Sequence, residues 1–163
     1  MSTRMIFTVV NIIGGAAVLG SYAWCLTVYP EHSAVLWGGV QGTLRSMFTL
    51  SMFLAAAGYL TFCYVYIFEG GAMSLGNFSV IRVNTIVILA IVFLTSASIW
   101  MPSLIAYIRT GMSVWWITCV VSLWVTALAL LVMMIVTAVS PLDGISKLSK
   151  YVSVTGLAYI TFH

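Results

Sequence analysis

From Val114 to Val139 the chain runs without a single charged side chain, and three other long stretches are equally free of charge. About 20 apolar residues suffice to carry a helix across a hydrocarbon core roughly 30 Å thick. Five segments qualify or nearly so: Met5–Tyr29, Ser46–Phe68, Val83–Ile108, Val114–Val139 and Leu148–His163. Pro30-Glu31 stops the first, Glu69-Gly70-Gly71 the second, Arg109 the third and Ser140-Pro141 the fourth. The expected fold is an all-α, integral membrane bundle of five, alternatively four, transmembrane helices forming one domain over residues 1–163. The fifth segment is the doubtful crossing, because it is short and stops in mid-pattern at Thr161-Phe162-His163. It is read either as a crossing that continues past His163 or as a short or interfacial helix, and the first reading is preferred.

Composition closes off the water-soluble alternative. Only 6% of residues are charged and 63% are hydrophobic, with a mean hydropathy of +1.16. A soluble domain carries roughly 25% charged residues to clothe its surface. Here six Lys/Arg and three Asp/Glu could not do so. The net charge of +3, scattered along the chain, offers no basic run for nucleic acid. Arg4 before an apolar run resembles a signal peptide, but that run is longer than a typical signal core and no small-x-small cleavage site follows it. It is therefore taken as a retained helix.

Orientation follows from the basic residues beside the spans. Arg4, Arg82, Lys147 and Lys150 share the N-terminal side, whereas Arg45 and Arg109 lie opposite. That bias predicts a cytoplasmic N-terminus. Tyr22, Trp24, Tyr29, Tyr107, Trp115 and Trp116 fall where rings prefer the headgroup level. The loop Pro30–Arg45, with Glu31, His32, Trp37 and three glycines, has room for a small surface lid. The link between the third and fourth spans is so short that they must form an antiparallel hairpin.

The polar inventory excludes more than it suggests. Glu31, Glu69 and Asp143 lie in loops, and every basic residue lies at a span edge, so an ion-coupled transport mechanism has no titratable group to run on. Asn11 and Asn84 are the strongest dipoles near the spans, and both are read as close to an end. Enzyme chemistry wants a nucleophile with a base, paired carboxylates or a metal cluster. None is apparent, so the chain is read as non-catalytic, with no metal site. Cys25, Cys63 and Cys119 have no metal-like spacing and read as small buried hydrophobes. His32 reads as a surface residue, or else as an axial ligand for a pigment.

Two features remain as candidates. Ala16 and Gly20, Ala17 and Ser21, and Ser51 and Ala55 are spaced four apart, which places small side chains on one helix face and permits close backbone approach. They mark helix packing within the chain or a seam between chains. Thr95-Ser96-Ala97-Ser98 gives the third span a similar patch. The second feature is Trp100-Met101-Pro102, where proline inside a helix frees a carbonyl one turn earlier. A large flat ring beside such a position could line a pocket for a planar apolar ligand.

The stretch from Trp100-Met101-Pro102 to Arg109-Thr110-Gly111 resembles the end of the third helix in the translocator protein (tryptophan-rich sensory protein) family. Ser122-Leu123-Trp124-Val125-Thr126 resembles that family's Leu-Leu-Trp, Tyr151, Leu157 and Ala158 echo its fifth helix, and Trp24, Leu26 and Pro30 echo the end of its first. The likeness implies a five-helix bundle binding a tetrapyrrole, sterol or other planar lipophile, with Trp24, Pro102, Trp100 and Trp124 as ligand-binding positions. The chain departs from the family pattern in lacking the proline-rich segment after the first helix. Ala97 stands where the family has Asn, and the early acidic residue of helix four has no counterpart. Two functions are thus expected. One is an accessory or structural subunit of a larger membrane complex, or of a homo-oligomer, with bound pigment or lipid. The other is a binder or sensor of a planar lipophile.

Overall fold

A computed structural model describes residues 2–32, 37, 40–69, 84–140 and 146–163. Arg82, Pro141, Asp143, Gly38, Gly39, Gly70 and Gly71 lie outside the described residues. So do the bends and the basic anchor assigned to them from sequence, and residues 33–36, 38 and 39 of the expected lid. Within the described residues there are five α-helices and no strand: α1 Thr3–Val28, α2 Gly42–Phe68, α3 Asn84–Thr110, α4 Ser113–Val139 and α5 Lys147–Phe162. A single turn of 3-10 helix, Pro30–His32, follows α1. Helices α1 to α4 are each long and apolar enough to cross a membrane. Helix α5 has 16 residues, a length of about 24 Å at 1.5 Å per residue, which falls short of the hydrocarbon thickness.

The ends of the helices follow local chemistry. Ser2 caps α1 by accepting a hydrogen bond from the Met5 amide, and Ser146 caps α5 by accepting one from Ser149. Helix α3 runs past the expected Ile108 to Thr110 and stops at Gly111, whose φ of +67° suits a residue without a Cβ. The Gly111 amide donates back to the Tyr107 carbonyl at 2.8 Å, closing the helix. Helix α2 begins four residues before the apolar run that was assigned to it. Its polar first turn, which carries Arg45, is helical although only the part beyond it reads as hydrocarbon-spanning.

The packing order around the bundle is α1–α3–α4–α5–α2, with few backbone contacts closing the ring between α2 and α1. The expected α3–α4 hairpin is the most extensive pairing, and α1 lies parallel to α3. Where α1 and α2 backbones stand apart, aromatic rings fill the gap. Phe7 meets Tyr66 at 4.3 Å and Phe62 at 6.2 Å between ring centroids, and Tyr59 meets Phe93 edge-on at 5.0 Å. Ile86, Ala90, Leu94, Met133 and Leu157 complete this core from α3, α4 and α5.

The two ends of the bundle differ. The aromatic core occupies the end that holds the start of α1 and the end of α2. Toward the other end the buried apolar cluster is small, formed by Cys25, Met101 and Ile105 and packed with Tyr22, Tyr29 and Trp100. The first buried residue of α2 is Ala55. Its preceding three turns therefore stand exposed, while α1, α3 and α4 remain packed beside one another.

Candidate functional site

With so few ionic groups, any chemistry must come from the hydroxyls, amides and rings inside the bundle. Most hydroxyls bond a carbonyl about one turn back on their own helix, and a smaller set pairs between helices. The Asn11 side chain donates to the Phe7 carbonyl at 2.8 Å, and its oxygen accepts from the Tyr59 hydroxyl at 2.7 Å and the Cys63 thiol at 3.6 Å. Eight residues beyond the start of α1, Asn11 sits about 12 Å along the helix, deeper than its sequence reading as an end residue suggested. An amide neither titrates nor attacks, so this network acts as a clasp between α1 and α2. Ser96 and Thr126 join α3 to α4 hydroxyl to hydroxyl at 2.7 Å. At the core-bearing end Ser149 donates to the Glu69 carboxylate, and Lys150 donates to the Ser140 carbonyl. Together they tie α5 to the ends of α2 and α4.

One hydroxyl does meet a base. Ser51 Oγ lies 2.8 Å from His163 Nδ1 and 2.8 Å from the Tyr159 hydroxyl, and the Tyr159 and His163 rings are stacked. A serine–histidine contact is the start of a nucleophile–base pair. No carboxylate orients His163 among the described residues, and Tyr159 occupies the other side of the serine. The trio latches α2 to α5. Sequence reasoning placed Ser51 on a small-residue face and missed its partners because they lie more than a hundred residues away. Only the matching spacing of Ser51-Ala55-Gly58 and Gly156-Tyr159-His163 hinted at two facing surfaces.

The small-residue positions divide sharply. Ala55 is buried against the bundle. At Gly58 a Cβ would fall 2.8 Å from the Gly156 carbonyl oxygen, so the α2 and α5 backbones touch there. Gly14 similarly meets Leu94 of α3, where a Cβ would lie 2.7 Å away. By contrast Ala16 and Gly20 face outward, and a Cβ at Gly20 would meet nothing within 4 Å. Ala16 and Gly20 therefore stand on the outward side of α1.

The four positions singled out for a planar ligand are also spread apart. Trp24 on α1 is 49% exposed and packs edge-on against Tyr29. Trp124 on α4 projects outward and is 66% exposed. Trp100 turns toward α1, donating its indole N–H to the Tyr22 hydroxyl at 2.7 Å with the two rings edge to face. Pro102 is half-buried in α3, which continues through it unbroken. A planar molecule touching all four would lie partly on the outside of the bundle. His32, once a candidate axial ligand, stacks on Tyr29 and lies 3.6 Å from Glu31.

Beside these, Arg109 donates to the Tyr29 hydroxyl at 2.8 Å while its guanidinium sits 4.7 Å from that ring's centroid. The three cysteines are free and buried, as their setting in apolar spans predicts. No group of three or more His, Cys, Asp or Glu poised for a metal occurs among the described residues. Comparison with models of protein families, with curated proteins and with solved structures finds no match.

Proposed function

We propose that this integral membrane protein is a non-catalytic accessory or structural subunit, completed by other membrane subunits or by further copies of itself. The observation that carries this reading is the state of α1. In its most apolar stretch 6% of residues are buried, against 33%, 44% and 33% in the other three spanning helices. Its outward side combines Ala16 and Gly20, which allow a backbone to approach, with Ile12, Ile13 and Leu19, which supply contact area. The polar groups that pair between helices support the same reading, since they hold helices together rather than converge on a substrate. On the positive-inside bias the N-terminus faces the cytoplasm.

Purification in mild detergent with measurement of particle mass and composition tests the proposal. The expected result is a stoichiometric assembly that dissociates in Gly20→Leu. A monodisperse single chain in several mild detergents would refute it.

A second reading, the binding of a tetrapyrrole or similar planar lipophile, is favoured by the Tyr22–Trp100 pair beside Pro102. An added porphyrin should then quench tryptophan fluorescence saturably, and Trp100→Ala should abolish the effect. Linear, unsaturable quenching that is equal in both proteins would dismiss it.

A further inference from the structure

The largely exposed first three turns of α2 bear a shallow, open depression of about 390 Å³ lined by Arg45, Ser46, Thr49, Leu50 and Phe53. Its lining is graded along the helix axis. Arg45 and Ser46 lie at the end nearest water, Thr49 lies one turn deeper, and Leu50 and Phe53 follow, with Phe53 71% exposed. The Arg45 guanidinium sits 4.9 Å from the Trp37 ring centroid, so an interfacial aromatic flanks it. No carboxylate forms an ion pair with Arg45 among the described residues. The helix start adds positive potential rather than removing it, since α2 has no acidic residue in its first turn and no side-chain cap from Gln41.

A cation and a hydroxyl at headgroup depth above a strip of exposed apolar side chains fit an amphiphile with a negative head. We infer that this open depression retains an acidic glycerophospholipid of the adjacent leaflet. Its phosphodiester pairs with Arg45 and Ser46, and an acyl chain follows Leu50 and Phe53. The depression distinguishes Arg45 from Arg109, the other arginine at this end, whose guanidinium is engaged by Tyr29. The inference holds whether or not the chain is an accessory subunit.

Native mass spectrometry of the detergent-solubilised protein, titrated with phosphatidylglycerol, phosphatidylcholine or inorganic phosphate, tests the site. One cationic side chain near a charged headgroup should favour phosphatidylglycerol over phosphatidylcholine about fivefold. Arg45→Gln, on an exposed turn, should abolish that preference, and Arg109→Gln should keep it. Equal retention of the two lipids by the wild-type protein would overturn the inference, as would a preference that survives Arg45→Gln. Displacement of the lipid by millimolar phosphate alone would overturn it too, because the occupant would then be a free anion.

Discussion

Helices α2 and α1 both carry small residues four apart, yet the bundle uses the two faces in opposite ways. On α2, Ser51 and Gly58 meet α5 so closely that the Gly58 and Gly156 backbones touch. On α1, Ala16 and Gly20 look out of the bundle. Small residues permit close approach without choosing the partner. The choice comes from what surrounds them: Ser51 has Tyr159 and His163 to bond, and Gly58 has a second glycine opposite. In lipid, where apolar burial does not drive helices together, van der Waals fit and interhelical hydrogen bonds decide the pairing.

The contrast is broken most severely at the α2–α5 contact. Gly156→Leu places its Cβ 2.9 Å from the Gly58 carbonyl carbon, and backbone cannot step aside as a side-chain tip can. Overpacking of this kind should cost about 3 kcal/mol. Thermal unfolding in detergent should show a large drop in midpoint, and cross-links between cysteines placed at the α2–α5 contact should form more slowly. A midpoint unchanged from the wild type would mean that the two helices are not packed as described.

A smaller loss is expected where α1 meets α2 through Asn11. Tyr59→Phe removes the hydroxyl that donates to Asn11 Oδ1 while keeping the ring against Phe93. Interhelical hydrogen bonds in membranes contribute about 0.6–2 kcal/mol, so the variant should lose about 1 kcal/mol by equilibrium unfolding. Asn11→Leu removes both partners' anchor and should cost at least as much. If Tyr59→Phe were stabilising, the clasp would not be holding α1 in place.

At the opposite end, Trp100→Phe removes the indole N–H that bonds Tyr22 and leaves an aromatic ring to pack in its place. The expected cost is similar or slightly lower, about 0.5–1 kcal/mol. Tyr22→Phe should give nearly the same loss, and the double variant little more, because one hydrogen bond is being removed in each case. Full additivity would show that the two side chains act independently.

The membrane class, the helix count and the α3–α4 hairpin are legible in the sequence because hydropathy and loop length act locally. Lateral packing is less legible. Asn11 reads as an end residue until Tyr59 is brought beside it, and Ser51 reads as merely small until the far end of α5 supplies Tyr159 and His163. The tryptophans are the harder case. Trp24, Trp100 and Trp124 have similar apolar surroundings along the chain, but the rotation of each helix turns one inward and two outward. That rotation depends on contacts among helices distant in sequence, which hydropathy does not encode.

The smallest expected effect on the bundle itself belongs to Gly20→Leu, and its smallness is what makes it decisive. A Cβ there meets nothing, so the folded chain should tolerate the side chain within about 0.5 kcal/mol. The replacement even raises helix propensity and adds lipid-facing apolar surface. Yet a leucine on a face meant for another helix pushes the two backbones apart. Unchanged unfolding together with a loss of assembly would assign the outward stripe of α1 to a partner. Unchanged unfolding with unchanged particle mass would leave Ala16 and Gly20 as ordinary lipid-facing residues, and the low burial of α1 would then reflect contact with lipid alone.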